Sequence, residues 1–328
     1  MPAFLLIFLL ISCNDTKTAN NSKSIEFFAM DTFISIKAYG ENSENALNLA
    51  KQEVLRIEEI FSVTDENSEI YRLNQEKSFE LSAEALDLIA KSNQISQATN
   101  GAFDISVYPL VKLYGFTQSD YHVPSDAEIA ETLAFVGYQD IMINGNTVAL
   151  SENMSIDLGA IAKGYCADKI AEVLKKNGVN SAVISLGGNI RLLGDKNGDN
   201  FSIAVRDPNN EQGYIGSINA KNCAVVTSGA YQRYFEENGV KYHHIINSQT
   251  GHCADSGLIS VTVVCDDSAV ADALATAFFV AGADFAKQYC AKNLDISAIL
   301  VDKDNCVSVV GDVDFIPVEN SAYRYSTQ

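Results

Sequence analysis

Ile156-Asp157-Leu158-Gly159-Ala160-Ile161-Ala162-Lys163-Gly164-Tyr165-Cys166-Ala167-Asp168 decides how the rest of the chain is read. It joins an apolar turn to a periodic helix. Its two glycines let backbone approach closely, and it carries one lysine and two carboxylates. Such a turn suits a charged, phosphate-bearing ligand. Two later blocks sharpen it: Asp272-Ala273-Leu274-Ala275-Thr276 and Tyr242-His243-His244-Ile245-Ile246.

Working outward, the helix that opens near Gly164 runs to Asn177 and stops at Gly178, a common residue just past a helix end. Short apolar strands are expected at residues 182–186, closed by Gly187-Gly188, and at 201–205, 224–227 and 259–265. Ser268 is expected to cap the helix that carries Asp272 and Thr276, and strands at 296–301 and 307–310 close the chain. Upstream, residues 25–38 alternate like one strand. Leu47, Ala50, Val54, Ile57 and Phe61 recur at helical spacing, and a second helix starts at Ser82. Ser125-x-x-Glu128 is a capping box opening a third helix through Val136, and residues 141–150 form a hairpin turning at Asn144-Gly145-Asn146. Strands and helices mix without a strict βαβ rhythm, so the fold class expected is α+β.

The 328 residues are 47% hydrophobic with mean hydropathy +0.01, enough for one large or two smaller cores. A net charge of −19 opposes nonspecific nucleic-acid binding, and no Lys/Arg run is present. Residues 1–13 form an apolar leader too short to span a bilayer. It ends in Leu10-Ile11-Ser12-Cys13, similar to a bacterial lipobox with Cys13 as the lipidated residue; an ordinary signal peptide and a mis-assigned start are the alternatives. Residues 14–24 read as a polar tether and 25–328 as one folded domain, expected in the bacterial envelope, lipid-anchored to a membrane and facing the periplasm or cell exterior. The six later cysteines form no C-x-x-C pair; their even number permits disulfides in an exported protein, but most sit in apolar runs, as buried free thiols do.

Asp272 and Thr276 are four apart, so a helix presents carboxylate and hydroxyl on one face, a donor pair suited to Mg²⁺. A core aspartate paired with a lysine is the other reading. His243 and His244 face opposite sides of a strand, so at most one enters a given site. His244 is then either a general base or a structural imidazole.

Taken in order, the blocks resemble the ApbE family of exported flavin transferases. The resemblance rests on Met30-Asp31-Thr32, Phe61-Ser62, residues 68–74, residues 99–104, Leu113-Tyr114-Gly115-Phe116, residues 156–168, residues 186–189, Thr227-Ser228-Gly229, His244-Ile245-Ile246 with Thr250-Gly251, and residues 271–276. It implies a two-lobed α+β fold, mixed sheets flanked by helices, with FAD in a cleft between the lobes. It implies Mg²⁺ held by Asp272, Thr276 and the carbonyl of Ala160. FAD contacts would come from Met30, Ala102, Phe103, Asp104, Asp157, Lys163 and Ile246, with His244 in catalysis. The activity implied is transfer of FMN from FAD to a Ser/Thr hydroxyl of an acceptor protein, such as a subunit of a redox-driven ion pump, with release of AMP.

Thr64 stands where many members place a tyrosine against the flavin, which points to weaker FAD retention. Asn247-Ser248 replaces a carboxylate and proline after the His-Ile-Ile run, which questions how His244 is held. The alternatives are a Mg²⁺-dependent FAD pyrophosphatase giving FMN and AMP, and a flavin-binding lipoprotein without turnover.

Overall fold

The computed structural model describes residues 22–40, 43–319 and 322–327. Cys13 and the apolar leader lie outside the described residues, as does the tether up to residue 21. In chain order the elements are β1 (Ser22–Ala29), β2 (Thr32–Tyr39), α1 (Ser43–Phe61), α2 (Glu69–Glu76), β3 (Ser78–Glu80), α3 (Ala83–Ala98), α4 (Tyr108–Leu113), α5 (Asp126–Leu133), β4 (Met142–Asn144), β5 (Thr147–Ala149), α6 (Ala162–Lys176), β6 (Ser181–Leu186) and β7 (Asn189–Leu193). There follow β8 (Phe201–Asp207), β9 (Asn210–Ala220), β10 (Ala224–Gly229), β11 (Tyr234–Glu237), β12 (Val240–His243), β13 (Leu258–Cys265), α7 (Ser268–Ala281), α8 (Ala283–Lys292), β14 (Ser297–Asp302), β15 (Cys306–Val310), β16 (Phe315–Pro317) and β17 (Arg324–Thr327).

The architecture is α+β. A nine-stranded sheet runs β1-β2-β6-β7-β10-β13-β14-β15-β17, antiparallel apart from the parallel pair β15–β17. Helices α1, α6 and α7 cover one face, and the small sheet β16-β9-β8 covers the other. Strand alternation feeds both cores: Ala298 and Leu300 of β14 enter the helix side, whereas Ile299 and Val301 enter the opposite one. A strand buried on both faces carries apolar residues at every position, which is why these strands read as continuous hydrophobic runs. A third cluster, Leu110, Tyr114, Phe116, Ile129 and Ile246, ties the α4–α5 region to the chain just after His244.

Several expectations change. Residues 25–38 are not one strand but the β1–β2 hairpin, turning at Met30-Asp31 with both residues left-handed at φ 52° and 55°. That geometry matches the strand twist, but its usual Asn-Gly signal is absent. β1 begins at Ser22, so the last three residues read as tether pair with residues 37–39 of β2. The N-cap of α7 is Asp267, whose carboxylate accepts from the Val270 N–H at 2.9 Å; Ser268 opens the helix and donates to Asn189 Oδ1 at 3.0 Å. The capping-box helix ends at Leu133, and beyond β15 the chain adds β16 and β17. The six cysteines among the described residues are free, four of them buried. No helix of the described residues is long and apolar enough to cross a membrane.

Candidate functional site

The site begins where the first turn of α6 meets α7. In a regular helix start the Gly164 N–H would reach back to the Ala160 carbonyl. Here it donates to Asp272 Oδ2 at 3.0 Å. The diversion joins the two helices and leaves the Ala160 carbonyl without its helical donor. Only glycine allows the approach: a Cβ at Gly164 would lie 2.1 Å from the Ser268 carbonyl oxygen. Lys163 Nζ donates to the Gly159 carbonyl at 2.8 Å and faces Asp272 Oδ2 at 3.8 Å. One turn further along α7, Thr276 Oγ1 has only long partners among the described residues, the Asp272 carbonyl and Ser228 Oγ, both at 3.5 Å.

A buried carboxylate, a loosely engaged hydroxyl and a freed carbonyl are hard oxygen donors, a set that fits Mg²⁺. Among the described residues no group of three or more His, Cys, Asp or Glu side chains converges on a metal position. The set holds one carboxylate, and magnesium takes the rest of its shell from water and phosphate.

Asp157 lies upstream of this corner. Its backbone N–H donates to the Ile105 carbonyl at 2.9 Å and its Oδ1 accepts from the Gly159 N–H at 2.9 Å. Burial pushes its carboxyl above the usual range, opposed by that N–H and by the nearby charges of Lys163 and Arg233, and reinforced by Asp31. The β1–β2 turn therefore stands beside the same site, with the Met30 N–H anchored on Glu58 Oε1 of α1 at 2.6 Å. Asn74 of α2 holds the loop from behind: Nδ2 donates to the Ile156 carbonyl at 2.8 Å and Oδ1 accepts from the Ile156 N–H at 2.7 Å. Asn74→Leu leaves both backbone groups buried and unpaired. It is expected to lower stability by about 3 kcal/mol, read as a fall in the urea midpoint; an unchanged midpoint would show that the Ile156 pairing contributes nothing.

His244 follows β12 directly. Its Nδ1 lies 3.1 Å from the Arg233 carbonyl, an oxygen that can only accept, so Nδ1 carries the proton, and the Nε2 lone pair has no hydrogen-bond partner among the described residues. The ring is only partly exposed, its edge against Phe116 at 6.3 Å. Desolvation, with the positive charges of Arg233 and Lys163, lowers its pKa to about 4 although the Arg233 carbonyl favours the charged form. His243 points the other way, into the core, with Nε2 3.1 Å from the Ala254 carbonyl and its ring edge-on to Phe279. The pair thus divides between site and core as strand alternation requires.

The remaining residues singled out in the sequence take varied places. Asp104 is spent locally, accepting from the Ser106 N–H and hydroxyl and from the Tyr138 N–H, and Phe103 is buried. Ile246 is buried in the cluster with Leu110 and Phe116. The side chains of Phe103 and Ile246 are therefore taken up by the core, and Ala102 is partly buried against the cluster that holds Phe103. Thr64 is exposed in the turn after α1, its hydroxyl 3.2 Å from Ser62 Oγ. Asp168, the second carboxylate of the opening stretch, points away from this corner. It accepts from the Ser268 and Ala269 N–H groups at the start of α7 and from Arg191 Nε at 3.0 Å. Burial and the Asp267 charge raise it to about 6 against the Arg191 attraction. The Asn247-Ser248 departure is compensated: Asn247 Oδ1 caps the turn through the Gln249 N–H, and Ser248 Oγ donates to the Gly101 carbonyl at 2.6 Å. His244 takes its orientation from Arg233 instead. Arg233 was not among the residues singled out, because it lies between two recognisable blocks and its role depends on a backbone carbonyl.

The sequence profile of the ApbE family matches residues 30–300. A Klebsiella pneumoniae protein named FAD:protein FMN transferase is 32% identical over 292 residues, 87% of this chain and 90% of that protein. One of the same name from Treponema pallidum is 32% identical, covering 76% of each. Among solved structures, an ApbE protein from Thermotoga maritima superposes with a TM-score of 0.81 at 32% identity, over 91% of this chain and 97% of its own. The flavin transferase ApbE from Vibrio cholerae gives 0.79 at 27%, over 92% and 98%.

Proposed function

The chain belongs to the ApbE family, and on that premise we propose that it transfers FMN from FAD to a serine or threonine hydroxyl of an acceptor protein, with Mg²⁺ and with release of AMP. The acceptor oxygen forms a bond to the FMN-side phosphorus of the pyrophosphate. The bond from that phosphorus to the bridging oxygen breaks, and AMP departs with that oxygen. The hydroxyl proton goes to His244 Nε2.

The observation that carries the reading is His244, whose Nδ1 proton is held on the Arg233 carbonyl, whose Nε2 has no hydrogen-bond partner among the described residues, and which feels the charge of Lys163, itself 3.8 Å from Asp272 Oδ2. A hydroxyl is a poor nucleophile, and a neutral imidazole in reach of it is the base such chemistry requires. Asp272, Thr276 and the Ala160 carbonyl would hold Mg²⁺, which when bound offsets charge on the phosphoryl oxygens. The Lys163 ammonium supports the same charge without the metal. Positioning and charge stabilisation are most of what phosphoryl transfer asks of a protein.

The second reading, hydrolysis of FAD to FMN and AMP, is favoured by Thr64, which places a small exposed hydroxyl where relatives often carry a ring. One experiment separates the two. The chain beginning after Cys13 is incubated with FAD and Mg²⁺, with and without a domain bearing an acceptor threonine. An acceptor mass gain of FMN with matching AMP establishes transfer, free FMN with an unlabelled acceptor establishes hydrolysis, and intact FAD removes both. Lipidation at Cys13, an envelope address and acceptors among redox-pump subunits extend the proposal. The mass of the N-terminal peptide from membranes tests the anchor.

The depressed His244 pKa sets a pH expectation. The base is active when deprotonated, so the acidic limb of kcat/KM for the free enzyme is expected near pH 4, well below the 6.5 of an ordinary histidine. Stability shares the sign. The unfolded chain binds the proton more readily between about pH 4 and 6.5, so acid through that window destabilises the fold. A limb centred at 6.5 that vanishes in His244→Gln would show that the burial described here does not govern the base.

A further inference from the structure

The Arg233 backbone holds the base, but its side chain has no role in the chemistry described so far. Its carbonyl receives the His244 Nδ1 proton at 3.1 Å and also the His244 backbone N–H at 3.2 Å. Its guanidinium donates through one terminal nitrogen to the Phe116 carbonyl, and Phe116 in turn packs edge-on to the His244 ring. Arg233, Phe116 and His244 thus form a closed set of contacts, and the side chain that starts beside the base is fixed at its tip. One nitrogen is used in this way, and the guanidinium forms no other hydrogen bond among the described residues. The charge acts to depress His244 and to oppose the rise that desolvation imposes on the Asp157 carboxyl. The charges of Lys163 from α6 and Arg233 from the segment before β11 both act on Asp157, in a chain whose net charge is −19. A planar fork with donors to spare, anchored through one nitrogen on the Phe116 carbonyl and joined through its own backbone to a general base, is the arrangement that binds phosphoryl oxygens.

Resting on the transferase reading, we propose that the Arg233 guanidinium binds the phosphoryl group that FMN carries to the acceptor, while its backbone carbonyl positions His244. Side-chain substitution leaves the carbonyl in place, so variants report on the guanidinium. A lysine can still donate to the Phe116 carbonyl but cannot also fork onto phosphate oxygens.

The test measures FAD-dependent AMP release and acceptor labelling in Arg233→Lys and Arg233→Met, with melting temperatures. Both variants are expected to lose about 100-fold or more in kcat with a smaller change in KM for FAD, as for other phosphoryl-clamping arginines. Added guanidinium chloride is expected to recover part of the activity of Arg233→Ala. In Arg233→Met the acidic limb of the pH profile is expected to move up, because one positive charge leaves the surroundings of His244 while Lys163 and His243 remain. Wild-type turnover in Arg233→Lys overturns the proposal, since one donor on Phe116 would then suffice. So does a loss that tracks melting temperature in every variant, with no shift of the limb. A wild-type protein that releases no AMP overturns the transferase reading instead, before any variant is compared.

Discussion

Asp272→Ala is expected to reduce AMP release at saturating Mg²⁺ by about 1,000-fold or more, the scale of losing a principal electrostatic contact in phosphoryl transfer. The carboxylate is 4% exposed, takes the Gly164 N–H and faces the Lys163 ammonium. Removing it withdraws the one charged donor of the proposed metal set. It also frees the Gly164 N–H to return to the Ala160 carbonyl, its regular helical partner, which engages a second donor of the set. Asp272→Asn separates the effects, because an amide oxygen still accepts from Gly164 while the charge is gone. Both variants should be inactive, and only the alanine should melt much earlier. Near wild-type release by Asp272→Asn would remove Asp272 from the metal assignment.

Gly164→Ala is expected to lower stability by about 3 kcal/mol, at the upper end of overpacking costs. The added Cβ would stand 2.1, 2.6 and 2.7 Å from the Ser268 carbonyl oxygen, the Ser268 carbonyl carbon and the Ala269 Cα. All three are backbone atoms at the start of α7, so no rotamer change relieves the contact. The two helices must separate, and with them the Gly164–Asp272 bond and the Asp168 cap on α7. Thermal unfolding and AMP release should fall together. Gly159→Ala is the control: its nearest neighbour would be the Asp157 carboxylate at 3.2 Å, a side chain that can give way. Equal stability of the Gly164 variant and wild type would mean that the helices do not meet there.

Much of the fold was legible because local rules agree with it. The Ser125–Glu128 capping box and the apolar spacing of α1 appear where expected, and Gly178 lies just past α6 with φ 82°. The misses have local causes. The Met30-Asp31 turn adopts left-handed geometry without glycine or asparagine, so nothing in its composition marked a break. Asp267 and Ser268 are both good caps, and only the backbone position of the helix start chose between them.

For the candidate site, residue types and spacing left Asp272, Thr276 and His244 open between functional and structural roles, and the ordered resemblance to the ApbE family nominated them together with Lys163. The amino-acid order by itself determined the α+β class and the residues available for phosphate chemistry. It could not say that Asp168 turns from the site to cap α7, or that Asn74 pairs with Ile156 across 82 residues. Nor could it say that the Arg233 carbonyl fixes the His244 tautomer. Those assignments rest on backbone groups brought together from distant segments. A backbone carbonyl or N–H is the same in every residue that bears it, so only tertiary packing decides which one a side chain meets.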